Sequence, residues 1–227
     1  MKVKLYKPFE HWYHGGTIFL ISDTHFNDPD CSLMSDHWPT PDEYVKLINK
    51  FVGKNDTLIH LGDVGDESWI SKIKGYKVLL LGNHDKGASN YTKVYSSILE
   101  GKLLFQSEVR ADVEAFNFEY HMDHSEMPIY TNNGLFDEVY EGPLFINEKI
   151  LLSHEPVGLP FGINIHGHDH AGLHYEYWAN DRVMINVCSN IREFKPLRLD
   201  DLIIDFKVKD LHRVIINKAT EKRKAKC

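Results

Sequence analysis

The sequence predicts an α/β protein built around a largely parallel central sheet. Two observations support this fold class. First, short apolar runs alternate with helix signals through the first third of the chain, as in strand–helix–strand units. Second, residues 58–61 form a mostly apolar run that closes at Gly62, which is typical of a strand buried on both faces. Consecutive units of this kind join into a parallel sheet through right-handed crossovers.

The N-terminal elements follow in a regular order. Residues 1–16 are expected to form an edge strand and a loop, residues 17–22 the first strand, and residues 26–39 a surface loop. The first helix begins with Thr40 as N-cap, Pro41 at the first helical position and Glu43 completing a capping box, and it ends at Gly53. A second strand (56–61), a short helix (67–73) and a third strand (76–81) come next.

The remaining elements are less regular. We predict a helix at 90–99, strand at 109–120, loops at 121–124 and 130–134, and a hairpin formed by residues 144–146 and 149–152. The apolar run 163–165 and residues 182–187, 201–208 and 213–216 are predicted strands. No linker or internal repeat is present, so residues 1–217 are expected to form one domain. Residues 218–227 are basic and predicted to be a disordered tail.

Composition excludes several protein classes. A chain of 227 residues with 42% hydrophobic residues has enough material for a large core. Its net charge of −7 argues against an extended nucleic-acid-binding face. The three cysteines are far apart in sequence and are interpreted as free thiols in a reducing compartment. Neither a signal peptide nor a run of ~20 apolar residues is evident, so a cytoplasmic protein without membrane association is expected.

Polar side chains follow five of the apolar runs, at the point where each run ends. In open α/β sheets the carboxyl ends of the strands form the edge where ligands bind. A metal site is therefore the first hypothesis. The candidate ligands are Asp23, His25, Asp63, Asn83, His154, His168 and His170.

The ligand types restrict the metal. Carboxylate, amide and imidazole groups suit Mn²⁺, Fe, Zn²⁺ or Ni²⁺, and a thiolate zinc site is excluded because no cysteine is close in sequence. Seven ligands are too many for one tetrahedral ion and sufficient for two ions that share a bridging ligand. A pair of ions ~3.5–4 Å apart can activate a water and stabilise both oxygens of a displacement at phosphorus.

The same residues resemble a known motif set. Asp23-x-His25, Gly62-Asp63, Gly82-Asn83-His84-Asp85, His154 and Gly167-His168-x-His170 are similar, in this order, to the motifs of the calcineurin-like metallophosphoesterases. The resemblance covers about residues 17–200 and is closest to small single-domain bacterial and phage members. It implies a four-layer αββα sandwich, in which two facing mixed β-sheets are flanked by helices.

The resemblance also implies roles for individual residues. Asp23, His25, Asp63 and His170 would hold one metal, and Asp63, Asn83, His154 and His168 the other. His84 would meet the substrate, as a general acid or by stabilising phosphoryl charge, while Asp85 would orient its imidazole. Two divalent ions are expected as cofactors, with Mn²⁺ first and Fe, Zn²⁺, Ni²⁺ and Mg²⁺ as alternatives.

The expected function is hydrolysis of a phosphate mono- or diester of a small nucleotide-like substrate, by attack of a metal-bridging hydroxide. His121, Asp123 and His124, in a polar loop, are candidate substrate-binding residues. One alternative is a nuclease acting on DNA or RNA, against which the net charge argues. The other is a non-catalytic interaction protein on the same fold, against which the complete set of seven ligands argues. His60 and His166 are interpreted as structural histidines.

Overall fold

A computed structural model describes residues 2–13, 15–85, 92–99, 102–106, 126–131, 135–159, 162–178 and 182–204. Within these ranges the strands form one eight-stranded and one five-stranded sheet. Both sheets are mixed and helices accompany them, which confirms the predicted α/β sandwich of two mixed sheets with helices. Among the described helices, none has the length and apolar character needed to cross a membrane.

The strands of the eight-stranded sheet are β1 (Ile18–Ile21), β2 (Thr57–His60), β3 (Tyr76–Leu80), β4 (Thr92–Leu99), β5 (Lys102–Gln106), β6 (Glu126–Thr131), β7 (Glu138–Tyr140) and β13 (Leu197–Arg198). They lie in the order β13-β1-β2-β3-β7-β6-β4-β5. The five-stranded sheet contains β8 (Leu144–Phe145), β9 (Ile150–Leu152), β10 (Gly162–His166), β11 (Tyr175–Trp178) and β12 (Arg182–Asn186). Its order is β11-β12-β10-β9-β8.

Parallel pairing dominates the centre of both sheets. Strands β1, β2, β3 and β7 are parallel neighbours, and β10 is parallel to both β9 and β12. An isolated parallel bridge between Ser22 and Cys188 joins the chain just beyond β1 to the chain just beyond β12. The carboxyl ends of parallel strands from both sheets therefore meet at one edge, as the sequence predicts for the ligand-binding edge.

The central strands are mostly apolar because both of their faces are buried. Alternate residues of one sheet pack against the other sheet, and the residues between them pack against the helices. The cluster between the sheets includes Leu20, Ile59, Val78, Leu152 and Ile165. The cluster under the helices includes Phe19, Leu58, Leu79, Tyr44 and Ile48.

In the part of the chain that the structure describes, the helices are α1 (Cys31–Met34), α2 (Pro41–Phe51), α3 (Leu199–Ile204) and two 3-10 helices, Lys7–Trp12 and Glu67–Lys72. The predicted capping box of α2 is present, with Thr40 N donating to Glu43 Oε2 at 3.0 Å. The predicted short helix between β2 and β3 is 3-10, and Asp66 caps it by accepting a hydrogen bond from Ser68 N at 3.1 Å.

The predicted hairpin is confirmed as the antiparallel pair β8–β9, whose turn is held by Asn147 Oδ1 accepting from the main chain of Lys149 and Ile150. Three of the predicted elements are wrong. The segment 1–16 contains a 3-10 helix instead of an edge strand, because Pro8 occupies its first turn and Phe9 and Trp12 enter the core.

Two further segments differ from the prediction. Residues 92–99 form β4 instead of the predicted helix, because pairing with β5 and β6 outweighs the local helix propensity. Strand β6 also includes residues 130 and 131, which were predicted to lie in a loop. Residues 201–204 belong to α3 instead of a strand, since Leu199 and Leu202 lie one turn apart and are both buried. The predictions for residues 109–120, 213–216 and the tail 218–227 lie outside the described residues.

A buried carboxylate ties the N-terminal 3-10 helix to the large sheet. Glu138 is fully buried, and it accepts hydrogen bonds from Trp12 Nε1 at 3.0 Å, Tyr76 OH at 2.6 Å and Tyr140 OH at 2.5 Å. His11 also contacts it. Burial opposes ionisation of Glu138, but the hydrogen bonds and His11 outweigh burial, so the pKa of this carboxyl is lower than its ordinary value. Glu138 is therefore ionised at neutral pH.

We expect Glu138→Gln to lower the free energy of unfolding by about 2–4 kcal/mol at pH 7, since the amide cannot accept from all these donors. Because folding lowers the pKa of Glu138, its ionised form stabilises the folded protein fully above the ordinary pKa of 4.5. This stabilisation is lost as the pH falls through the lower pKa of the folded protein. Urea unfolding should therefore show a smaller difference between the two proteins below pH 4.5. Glu148→Gln, at an exposed glutamate, is the control; equal effects of the two changes would contradict the assignment.

Candidate metal centre

All seven candidate ligands lie in the described residues, at the shared edge of the two sheets. Asp23 and His25 follow β1, Asp63 follows β2, and Asn83 follows β3. From the second sheet, His154 follows β9, while His168 and His170 follow β10. The ends of parallel strands thus bring together residues that are up to 147 positions apart in sequence.

One group of ligand atoms comes from Asp23, His25 and Asp63, which lie within 4.8 Å of one another. His25 Nε2 is 3.8 Å from Asp63 Oδ2. His170 joins this group, since its Nε2 lies 3.5 Å from Asp23 Oδ1. These separations suit an ion whose bonds to oxygen and nitrogen ligands are ~2.0–2.2 Å long.

A second group comes from Asp63, His154 and His168. His154 Nε2 lies 3.3 Å from Asp63 Oδ2 and 3.2 Å from His168 Nδ1. Asn83 Oδ1 completes the set, at 2.8 Å from His154 Nε2 and 3.1 Å from His168 Nδ1. Asp63 belongs to both groups, and the same oxygen, Oδ2, faces a histidine of each.

The centre contains two buried atoms that no hydrogen bond in the described part of the chain satisfies: Asp23 Oδ1 and His25 Nε2. An unsatisfied buried polar atom costs about 1–3 kcal/mol, so such atoms need an explanation. A divalent cation in the first group would contact both. The residues present therefore fit a metal ion on their donor chemistry and on these two atoms.

Three histidines are oriented by partners on the ring nitrogen that faces away from the centre. His25 Nδ1 lies 2.8 Å from Asp28 Oδ2, and His154 Nδ1 lies 2.8 Å from the carbonyl oxygen of Leu61. Asn190 holds His170 twice, through its Oδ1 at 3.1 Å from Nδ1 and through its amide, which donates to the His170 carbonyl at 2.9 Å. With Nδ1 engaged, Nε2 of each ring is directed at the centre, which is the arrangement metal-ligating histidines use.

The backbone at the centre is strained. Asp23, His25, Asp63 and His168 have φ values of 57°, 42°, 57° and 66°, in the left-handed region that residues other than glycine rarely adopt. Such conformations cost of order 1–3 kcal/mol each and persist where the surrounding structure enforces them. Four of the seven candidate ligands share this feature, which is typical of a functional site.

Two glycines allow the loops to approach closely. A Cβ atom on Gly82 would lie 2.3 Å from Asp63 Oδ1, and one on Gly167 would lie 2.3 Å from Asp23 Oδ2. These positions accept no side chain without displacement of a candidate ligand. The centre therefore requires glycine at positions 82 and 167, because a side chain there would collide with Asp63 or Asp23.

The electrostatics show how strongly negative the centre is. Burial favours the neutral form of Asp63, but His154 and the main-chain amide of His84 outweigh it and lower the pKa of Asp63 to about 2. Burial likewise disfavours the charged form of His154, but Asp63 and Asp23 outweigh it and raise its pKa to about 9. Closely spaced carboxylates thus attract positive charge to this point, which a metal cation would supply.

His84 and Asp85 have different surroundings. His84 is exposed; its main-chain N–H donates to Asp63 Oδ1 at 2.9 Å, and its ring centre is 5.8 Å from that of His25. Asp85 uses its carboxylate on the main chain, where it accepts from Gly82, Asp63 and Val64 at 2.7–2.9 Å. The structure thus gives Asp85 the role of holding the two ligand loops together, whereas the sequence led us to expect that it orients the His84 imidazole.

Cys188 lies beside two candidate ligands, which the sequence did not predict. We expected no cysteine at the site, but the sheet pairing beyond β1 and β12 brings Cys188 next to Asp23 and His170. Its Sγ lies 3.3 Å from His170 Nδ1 and 3.2 Å from Asn190 Oδ1. Burial, and then the charge of Asp23, raises the pKa of this thiol, so it stays protonated. Nothing in the spacing of the cysteines signals this contact.

The two remaining strand histidines are structural. His60 is buried, and its ring contacts Thr24 Oγ1 at 2.9 Å; burial lowers its pKa to about 3. Burial also lowers the pKa of His166, whose Nδ1 donates to the carbonyl of Gly167 at 2.8 Å. The candidate substrate-binding residues His121, Asp123 and His124 lie outside the described residues.

An aromatic side chain stands at the rim of the centre. The Trp38 ring is 6.0 Å from the His25 ring and 6.1 Å from the His170 ring, measured between centres. It is half-buried, and its Nε1 donates to the carbonyl of Thr24 at 3.3 Å. Beside it is a cavity of about 300 Å³, lined among others by His25, Asp28 and Asp36.

Comparisons with known proteins found two similarities to this chain. Residues 16–188, well over half of the chain, match the family model described as calcineurin-like phosphoesterase. The chain is also similar to a crystal structure of a protein of unknown function from Aquifex aeolicus, with 19% identity and a TM-score of 0.49. That likeness covers 82% of this chain and 97% of the other. No curated protein matches the chain.

We expect Gly82→Ala to weaken metal binding on the order of 10–100-fold, because the added methyl group displaces Asp63. Metal content after dialysis against limiting Mn²⁺, measured by atomic emission, checks this. Gly158→Ala is the matched control, since a Cβ at Gly158 would meet nothing within 4 Å. Normal metal content in the Gly82 variant would show that Asp63 is not a ligand.

Proposed function

The chain belongs to the calcineurin-like phosphoesterase family, and we propose that it hydrolyses phosphate esters of small nucleotide-like molecules at a centre of two divalent metal ions. The family and the clustered ligands make it a metal-dependent phosphoesterase. The proposal adds the number of ions, the size of the substrate and the role of each residue.

The observation that carries the two-ion proposal is the position of Asp63. Its Oδ2 lies 3.8 Å from His25 Nε2 and 3.3 Å from His154 Nε2, which belong to separate ligand groups. A carboxylate in this position can bridge two cations. When bound, the ions supply Lewis-acid stabilisation of phosphoryl oxygens and lower the pKa of a water molecule. The mixed carboxylate–imidazole set suits Mn²⁺, Fe, Zn²⁺ or Ni²⁺. Of these we propose Mn²⁺ as the bound metal, with Fe, Zn²⁺, Ni²⁺ and Mg²⁺ as alternatives.

The protein's own groups position the substrate and move a proton. His84 is exposed beside the first ligand group and belongs to neither group, so its imidazole is free to meet the leaving oxygen of an ester and donate a proton to it. Asp85 fixes the loop that carries His84 by accepting from the main chain of Gly82. Asn83 and His84 thereby stay at the edge of the centre.

The rim favours small substrates with an aromatic group. Trp38 offers a ring on which a base can stack, next to the cavity of about 300 Å³. The carboxylates of Asp28 and Asp36 line that cavity and would repel the successive phosphates of a polynucleotide. The net charge of −7 points the same way, so a nuclease acting on long DNA or RNA is the less favoured alternative. A non-catalytic protein would have no need for the strained, complete ligand set.

We expect Asp63→Asn to lose at least one of two bound metal ions and nearly all hydrolysis, because the neutral amide cannot hold two cations close together. Metal content, together with turnover of cyclic and linear nucleotides and chromogenic mono- and diesters in Mn²⁺, tests both parts. Asp201→Asn, at an exposed aspartate of α3, is the control. Two ions per chain and normal turnover in the Asp63 variant would refute the two-metal proposal.

We expect His84→Ala to keep both metal ions while turnover falls ~10²–10⁴-fold, the usual contribution of a positioned acid–base group. The same substrates and metal analysis apply, with His37→Ala at an exposed histidine as control. The loss should be larger for esters with a poor leaving group than for nitrophenyl esters, which need no proton donor. Loss of a metal ion from this variant would instead make His84 part of the ligand set.

A further inference from the structure

The loop that follows β12 connects the metal centre with the aromatic side chain at its rim. Near the start of this loop, Asn190 holds the ring of the candidate ligand His170. Farther along the same loop, the ring of Phe194 packs against the ring of Trp38. One short segment therefore supports a metal ligand and the ring on which a substrate base would stack.

The backbone of this loop is strained at Phe194 and is held there by several contacts. Glu193 and Phe194 have φ values of 53° and 60°, in the left-handed region where an aromatic residue is a rare exception. Phe194 N donates to the Ser189 carbonyl at 2.8 Å. The buried Arg192 donates from Nε and Nη2 to two main-chain carbonyls, each at 2.6 Å. These contacts enforce a conformation that the chain would otherwise avoid, and they fix the position of the Phe194 ring.

Phe194 contacts two aromatic residues of the cavity beside the metal centre. Trp38 and Tyr44 both line that cavity, and their ring centres lie 5.2 Å and 5.6 Å from the Phe194 ring, at interplanar angles of 70° and 86°. Phe194 itself is not among the lining residues that the structure describes, so it contacts these rings away from the cavity. Tyr44 is fully buried, and its OH donates to Ser189 Oγ. Phe194 thus lies between a fixed ring of the core and the half-buried ring at the rim.

Trp38 offers a bound molecule the face of its ring. Its indole N–H is already engaged, since Nε1 donates to the Thr24 carbonyl at 3.3 Å. The edge-to-face contact with Phe194 restricts the plane of the indole. A ring that is already fixed loses less conformational entropy on stacking than a mobile ring, so it binds a flat partner more tightly.

We propose that Phe194 is a positioning residue that sets the substrate selectivity of the centre through Trp38. By holding the indole in one plane, Phe194 favours esters that carry a nucleobase over esters of the same type without an aromatic group. The inference rests on the proposed function, because it takes Trp38 to be the ring on which the base stacks. Phe194 belongs to neither ligand group, so its contribution is separate from metal binding and from proton transfer.

Phe194→Leu tests this role, because leucine keeps apolar bulk and removes the aromatic ring. With the metal-loaded protein, we expect the KM for a nucleotide ester to rise about 3–10-fold, a part of the effect that loss of a stacking ring has. The kcat and the metal content should stay near those of the parent, since only substrate binding is weakened. The KM for a glycerol ester of the same type should not change. Phe194→Tyr keeps the ring and should retain the KM of the parent, and Phe51→Leu, at an exposed phenylalanine of α2, is the matched control.

A binding measurement separates this inference from the proposed activity. Adenosine has a base and no ester group, and isothermal titration measures its binding to the metal-loaded protein. Phe194→Leu should weaken adenosine binding about 3–10-fold, and Trp38→Leu should weaken it at least as much. If this result is found while no nucleotide ester is hydrolysed, the proposed function fails and the role of Phe194 stands.

Circular dichroism checks that each variant is folded, and Phe194→Met replaces Phe194→Leu if the latter is not. The inference is overturned if the parent does not bind adenosine. It is also overturned if the folded variant at position 194 binds adenosine and nucleotide esters as the parent does. Equal increases in KM for the nucleotide ester and the glycerol ester, or a loss of metal, would show that Phe194 supports the centre as a whole and would overturn it too.

Discussion

The concentration of negative charge at the shared edge of the two sheets is the constraint on which the site depends. Asp23 and Asp63 are both buried there, and each contacts imidazole groups. Two carboxylates in a low-dielectric space repel each other and lose hydration, which is costly unless positive charge neutralises them. The raised pKa of His154 reflects this need for positive charge, since Asp63 and Asp23 favour the protonated ring. A divalent ion would meet the same need and would also satisfy the unpartnered oxygen of Asp23.

Contacts around the site hold the ligands in this unfavourable arrangement. The strand ends that carry the ligands are held by an apolar core on each face of the large sheet. Asp85 clamps the loops after β2 and β3 through main-chain amides, and Asp28 and Asn190 fix two imidazole rings. Left-handed backbone at four ligands is tolerated because these contacts leave no relaxed alternative.

Much of the fold and the seven clustered side chains were predictable, because buried strands and their polar ends follow simple periodic patterns. The contacts of Asp28, Asn190, Cys188 and Trp38 were not, since they depend on how loops cross at the sheet edge. Asp28 had a weak signal, three residues after His25, whereas Cys188 meets Asp23 only through pairing between distant segments. Strand β4 was mistaken for a helix because its structure depends on partners remote in sequence.

The period of two along β10 gives the two faces of this strand different surroundings. Ile163 and Ile165 face the core, while Asn164 and His166 line a separate cavity on the outer face of the five-stranded sheet. Beyond the strand, Gly167 lets the chain pass close to Asp23. His168 and His170 then lie in the ligand groups, and Asp169 between them lines the outer cavity. Asp169 is therefore outside the ligand groups, although both of its neighbours in sequence are candidate ligands.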